Sequence, residues 1–491
     1  MSLGSFVKTI QNIMRGDSGI NGDAQRIEQM TWILFLKVYD AKEEDWEFHD
    51  DDYASIIPEE LRWRNWAVDH KDGKAMTGQS LLDFVNTKLF PTLKELTITE
   101  STPMKKSIVK AVFEDSNQYM KDGILLRKVV NGIDAIEFDE YDERHAFGDI
   151  YETILKSLQS AGNAGEFYTP RAVTDFMVKM IAPKLGERVA DFACGTGGFL
   201  TSTLKMLEPQ IETIEDRELY NKSIYGIEKK PLPYLLCITN MLLHDIDSPK
   251  VFHGNSLERN VREYKGSDKF DIVLMNPPYG GTESDGVKIN FPADLRSSET
   301  ADLFMSVIMY RLNEHGRAGV IIPDGFLFGT DNAKVAIKKK LLEEFNLHTV
   351  VRMPSSVFSP YTSITTNILF FDKSKKTDKV WFYRVDIPDG YKHFSKTKPM
   401  KVEHFNECVA WWSDRHEIKD TETDTYKAKG YTVQELADRG YDLDLCGYPT
   451  AEEEVLSPEE TIQNFHEKRD ALNAKIDKRL VEIEALLGVE R

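Results

Sequence analysis

Cysteine is scarce in this chain, long apolar runs are missing, and so is any excess of positive charge. The four cysteines, Cys194, Cys237, Cys408 and Cys446, lie far apart and form no Cys-x-x-Cys pair. That spacing speaks against both a zinc site and a disulfide framework, and it points to reduced core residues. The longest apolar runs, such as Trp32 to Leu36 and Gly319 to Ile322, fall far short of the roughly 18 residues a membrane span needs. No basic, apolar and small-residue leader opens the chain, so a cytoplasmic protein is expected. The 62 Lys and Arg stand against 81 Asp and Glu, a net charge of −19. Such a chain is not expected to hold DNA or RNA by itself through phosphate contacts. If nucleic acid is the substrate, a partner or a local basic face must supply the grip.

What is present is the composition of a globular protein, 41% hydrophobic and 11% aromatic over 491 residues. That length suits two or three domains. Residues 1–145 read as a helical N-terminal domain: Ile10, Ile13 and Met14, then Ile27, Met30, Ile33 and Leu34, recur at helical spacing. The acidic stretch from Glu43-Glu44-Asp45 to Asp50-Asp51-Asp52 reads as a solvated loop. From 146 to 375 short β-rich runs alternate with helical stretches: 189–192, 223–227, 270–275, 319–322, 349–351 and 368–371. That alternation predicts an α/β domain with a doubly wound, mainly parallel sheet wrapped by helices. Residues 376–491 begin as mixed strand and loop. They end in a helix over 457–487, announced by the cap Ser457-Pro458-Glu459-Glu460. Its apolar stripe, Ile462, Phe465, Leu472, Ile476, Leu480, Ile483 and Leu487, packs either on a partner or within its own chain.

Three strand ends carry chemistry. In "ADFACGTGGFL" (190–200) a strand ends in Asp191, the glycine-rich turn Gly195-Thr196-Gly197-Gly198 comes next, and a helix opens. Nucleotide-type cofactors bind at such turns on the carboxyl edge of a parallel sheet, although glycines alone also make ordinary turns. No Gly-Lys-Ser/Thr comes after them, so ATP hydrolysis is not indicated; nor is the H-x-E with P-C-x-x-C signature of zinc deaminases present. Glu228 ends the next strand, where a carboxylate can accept both hydrogen bonds of a ribose diol. Asn255, in "HGNSL", has an amide able to donate to and accept from an adenine edge, and a turn asparagine is the plainer alternative. Finally "LMNPPYGG" delivers Asn276 at the end of the run 270–275, and two prolines keep the chain out of a helix. The Asn276 amide oxygen and the Pro277 carbonyl can accept both hydrogens of an exocyclic amine. Tyr279 offers a face on which a planar base can stack.

"NPPY" with "DFACGTGGF", and with "EFYTP" (166–170) ahead of both, resembles the gamma class of S-adenosylmethionine-dependent adenine DNA methyltransferases. "RSSETADLFMSVIMYRLNEHGRAGVIIPDGFLF", "MPSSVFSPYTSITTNILFF" and "LADRGYDLDL" extend the likeness to the modification subunit of type I restriction–modification systems, over about residues 5–487. The resemblance implies a Rossmann-like S-adenosylmethionine-dependent methyltransferase domain between a helical head and a helical C-terminal extension. It implies Glu166, Phe167, Tyr168, Thr169, Pro170 and Arg171 as a loop over the methionine end of the cofactor. Thr196, Gly197 and Gly198 are implied for its amino-acid moiety, Glu228 for the ribose, and Asn276, Pro277, Pro278 and Tyr279 as the catalytic claw. Related enzymes often carry Asp where Asn255 stands. The implied partners are duplex DNA with its target adenine flipped out, a specificity subunit meeting the C-terminal helix, a second copy of the chain, and an ATP-dependent restriction subunit. Lys338-Lys339-Lys340 and Arg296 are candidate local DNA contacts, solvated lysines being the commoner case. Rival readings are a self-sufficient DNA adenine methyltransferase, an enzyme acting on RNA or a protein amide, and an inactive scaffold. Residues 281–299, with glycines and few evident apolar anchors, are expected to be mobile.

Overall fold

The computed structural model describes residues 3–136, 168–359, 362–395, 397–420, 425–448 and 458–487. Among them ten strands share one sheet: β1 (Val189–Asp191), β2 (Ile224–Glu228), β3 (Val251–His253), β4 (Phe270–Met275), β5 (Leu312–Pro323), β6 (Asn346–Arg352), β7 (Thr366–Asp372), β8 (Lys379–Arg384), β9 (Ile418–Lys419) and β10 (Tyr426–Thr432). Their spatial order is β3-β2-β1-β4-β5-β7-β6-β8-β10-β9. The first five are parallel to their neighbours, and β7 runs antiparallel between β5 and β6. From β1 the chain winds outward through β2 to β3, then crosses to β4 on the other side of β1. The reversal makes β1/β4 the switch point, where the carboxyl ends of diverging strands leave a crevice. Residue 375 lies between β7 and β8 of this same sheet, and β10 pairs antiparallel with β8.

β4 shows why the sheet has helices on both sides. Successive side chains of a strand point to opposite faces, and on β4 both faces are apolar. Val273 and Met275 join a core with the helices Thr300–Arg311 and Asn332–Glu344, while Ile272 and Leu274 join another with the helix Arg171–Ile181. On that second face Phe176 stacks on Phe405, ring centroids 4.0 Å apart. A strand buried on both faces reads as a continuous apolar run, which is how 270–275 looks in the sequence.

The N-terminal helices, chiefly Leu3–Arg15, Asp23–His49, Met104–Glu114 and Gly123–Asp134, share a core with the helix Pro231–Leu243 that joins β2 to β3. Lys42 fastens the two, its ammonium 2.6 Å from Asp245 and 3.4 Å from Asp247. The stretch expected as an acidic loop is instead the end of the helix Asp23–His49; Asp50, Asp51 and Asp52 alone are exposed beyond it. Glu43 is fully buried and accepts hydrogen bonds from Tyr53 Oη (2.7 Å) and Ser55 Oγ (2.6 Å). One turn earlier, burial pushes the Asp40 carboxyl up to about 6 against the pull of Arg64 beside it. Acidic side chains here occupy the inner face of a helix because hydroxyl and guanidinium partners meet them there.

Tyr448–Arg491 form a separate compact unit. Its helix Pro458–Leu487 exposes Ile462, Phe465, Leu472, Ile476 and Leu480, each by 46% or more. Ser457 and the side chains of Ile483 and Leu487 lie outside the described residues. Among the described residues no helix is long and apolar enough to cross a membrane.

The segment 281–299 contradicts the premise of few anchors. Phe291 and Leu295 are buried, and Asn290 Nδ2 donates to the Leu257 and Glu258 carbonyls at 3.0 and 2.9 Å. A bridge between Thr282 and Glu299 closes its base, and Lys334 Nζ holds Glu299 at 2.7 Å. Removing a buried phenylalanine costs about 3–5 kcal/mol, a loss felt first in the segment it anchors. Phe291→Ala is therefore expected to speed proteolysis and amide exchange within 282–299 while the core helices keep their protection, measured by mass spectrometry.

Candidate active site

The glycine turn comes directly after β1. Gly195 and Gly197 have φ of +54° and +83°, and a Cβ on Gly197 would meet Cys237 Sγ at 2.9 Å. A side chain at 197 is thus excluded by both backbone conformation and space. Glu228, buried at the end of β2, is fixed by two main-chain amides: Gly195 N donates to Oε2 and Lys230 N to Oε1, both at 2.8 Å. These two bonds orient the group before any ligand arrives. Asn240 Nδ2 donates to the Thr196 carbonyl at 3.2 Å and steadies the turn from beneath. Its sequence signal was a lone amide within the apolar helix PLPYLLCITNMLL.

Asp191 sits under the turn, buried, with Oδ1 accepting from Ala193 N at 3.1 Å. Burial drives its carboxyl well above the usual range and the nearby Glu228 charge adds to that. Cys194 and Cys237 lie together, sulfur to sulfur 3.9 Å, as free buried thiols. Asn255, just past β3, uses Oδ1 to accept from Leu257 N at 3.1 Å, so the turn function and the strand-edge position coincide.

β4 ends on the opposite side of β1 from β2, and there Asn276 emerges. Its Nδ2 donates to Thr169 Oγ1 at 3.0 Å, and its Oδ1 accepts from the Tyr279 hydroxyl. Tyr279 is half-buried, Pro277 buried and Pro278 exposed. Burial pushes the Tyr279 phenol well up, which keeps it a donor. Arg171 Nη1 bridges from the "YTP" segment to the glycine-turn helix, donating to the Gly198 carbonyl (2.9 Å) and Thr201 Oγ1 (2.7 Å). Its guanidinium also lies 5.6 Å from the Tyr168 ring centre. Glu166 and Phe167 lie outside the described residues.

Of the lysine run only Lys339 is exposed. Lys338 is buried and donates to the Leu327 and Gly329 carbonyls at 2.9 and 2.8 Å, and burial pulls its ammonium down to about 8. Lys339 and Lys340 face Glu343 and Glu344, at 3.8 and 2.6 Å. Helical spacing puts every fourth residue on one face, so Lys339 and Lys340 each face an acid of their own helix. Arg296 remains exposed and donates to the Phe291 carbonyl.

The chain matches known proteins over nearly its whole length. Residues 142–455 match the family model described as N-6 DNA Methylase, and 3–133 match the HsdM N-terminal domain. The type I restriction enzyme EcoEI methylase subunit of Escherichia coli is 47% identical over 467 residues, 95% of this chain and 94% of that one. The chain belongs to the type I restriction enzyme methylase subunits. It is an adenine-specific DNA methyltransferase. The crystal structure of a modification subunit of a putative type I restriction enzyme from Vibrio vulnificus YJ016 has TM-score 0.78 and 39% identity, covering 91% of this chain and 96% of that one. A structure described as underlying complex assembly and conformational transition of the type I R-M system has TM-score 0.80 and 34% identity, covering 100% and 99%.

In this methylase subunit the Glu228 carboxylate organises the turn. Glu228→Gln sets an amide N–H₂ against one of two main-chain donors, and an unsatisfied buried donor costs about 1–3 kcal/mol. Urea unfolding is expected to show that loss.

Proposed function

We propose that the subunit binds S-adenosylmethionine along the edge of β1 and β2 and presents a flipped-out adenine to it from the edge of β4. The observation that carries this reading is the pairing of β1 with β4, which puts the glycine turn and the claw on adjacent strand ends. The residues suit the cofactor. Glu228 is an anchored double acceptor for a ribose diol, and the 195–198 turn admits close backbone approach. Asn255 stands at the next strand edge for the adenine ring. Thr169 meets the claw and Arg171 the glycine-turn helix, and the family likeness assigns Glu166, Phe167, Tyr168 and Pro170 to the cofactor with them. S-adenosylmethionine, when bound, supplies an electrophilic methyl on a sulfonium, transferred by in-line displacement with S-adenosylhomocysteine leaving.

The chain's own part is alignment. Asn276 Oδ1 and the Pro277 carbonyl accept the two hydrogens of the target amine, which turns its lone pair out of conjugation with the ring and toward the methyl. Holding two reactants in line is worth about 7–11 kcal/mol in favourable systems. Extruding the base costs a few kcal/mol, and stacking on Tyr279 returns on the order of 1–3 kcal/mol. The Tyr279 hydroxyl rests on Asn276 Oδ1, and stacking on the adenine takes the ring away from it. The methylated nitrogen then sheds its proton to solvent, since an amide is no base.

A net charge of −19 and an acid-paired lysine run leave the subunit little grip on DNA. The exposed apolar stripe of Pro458–Leu487 supports docking on a specificity subunit that reads the sequence. A second copy of the chain and an ATP-dependent restriction subunit complete the assembly. Transfer of labelled methyl to adenine N6 in duplex DNA is expected with the specificity subunit and not without it. Leu472→Asp, at an exposed position, should leave the chain folded and weaken association at least about tenfold, as buried anchors do. Full transfer by the chain alone would instead mark a self-sufficient enzyme.

A further inference from the structure

An amide has two ends, and only one of them serves the claw. If the Asn276 side chain turned over, its N–H₂ would oppose the N–H₂ of the target adenine, donor against donor. Two contacts hold the side chain: Thr169 Oγ1 takes a hydrogen from Nδ2 at 3.0 Å, and the Tyr279 hydroxyl gives one to Oδ1. They fix the place and plane of the amide, and the target amine, which needs acceptors, selects the oxygen end. The second contact is lost when Tyr279 leaves to stack on the base. The first is compatible with a bound adenine, because it uses the end of the amide that the substrate does not. Thr169 is itself held in place. It precedes Pro170, which leads into the helix Arg171–Ile181, and Arg171 ties the start of that helix to the Gly198 carbonyl and Thr201 Oγ1 beside the glycine turn.

We infer that Thr169 is a positioning residue for the methyl transfer: it holds the Asn276 amide in the place and plane from which its oxygen meets the target amine. Resting on the function proposed above, this assigns to Thr169, beyond its place in the cofactor loop, an effect on the chemical step larger than any on cofactor affinity. Through Arg171, the same residue links the order of the cofactor edge to the orientation of the claw.

The test uses the full chain with its specificity subunit and compares wild type, Thr169→Val, Thr169→Ala and Thr169→Ser. Methyl transfer to duplex DNA gives kcat, and equilibrium dialysis of labelled S-adenosylmethionine gives Kd. Valine conserves shape but accepts no hydrogen bond, so kcat is expected to fall on the order of tenfold to a hundredfold, with a smaller rise in Kd. Alanine, which relieves any crowding the valine introduces, should behave likewise. Serine restores the acceptor and should recover most of kcat. Unchanged kcat in the valine and alanine variants would overturn the inference. So would a loss confined to cofactor affinity, or a serine variant as slow as valine. A wild-type complex that transfers nothing to DNA would overturn the proposed function, and this inference with it.

Discussion

Two parallel strands side by side, Val189 opposite Ile272 and Ala190 opposite Val273, impose the geometry on which the catalytic reading depends. Parallel neighbours end at the same edge of a sheet, so the segments leaving β1 and β4 must emerge together. The crossover after β3 makes those two exits diverge and opens a crevice between them. Into that crevice the chain feeds a glycine turn and an acid from one side and an asparagine held by prolines from the other. The apolar faces of β4 are locked between two separate cores, so neither exit can shift by a residue without moving buried side chains to the wrong face.

Polar groups then complete what burial begins. Glu228 is tied to two main-chain amides, Asn276 to a hydroxyl at either end, and Thr196 to Asn240. Each bond orients a group that would otherwise rotate freely, which is the condition for alignment to contribute to rate. Lys42 with Asp245, and Lys334 with Glu299, serve a wider purpose: one joins the helical head to the catalytic sheet, the other closes the base of the segment after the claw.

Much of this was legible in the sequence, and the reason is physical. Interior parallel strands must be apolar on both faces, so 270–275 and 189–191 stand out as runs, and unusual residues at their ends stand out more. Side chains whose partners are distant in sequence were not legible. Glu43 looked like part of a solvated acidic loop because Tyr53, Ser55 and the inner face of its helix are not evident from local composition. Lys338 looked solvated because the carbonyls that receive its ammonium belong to Leu327 and Gly329, at the end of the preceding turn. Phe291 and Leu295 hid among polar neighbours in a stretch that read as mobile. The bond from Asn276 to Thr169 spans 107 positions; both residues were visible as candidates, but not their contact. β10 alternates polar and apolar residues near the sheet's end, so that part of the chain reads as mixed strand and loop rather than as the sheet's continuation.

The proposed division of labour across the crevice puts the cofactor on the β1 and β2 side and the target amine on the β4 side. Binding of labelled S-adenosylmethionine to the Asn276→Ala and Glu228→Ala variants, with methyl transfer recorded on the same samples, tests it most directly. Asn276→Ala is expected to bind the cofactor as wild type does and to transfer nothing, whereas Glu228→Ala fails to bind it. Loss of cofactor binding in Asn276→Ala, or transfer that survives it, would contradict that division.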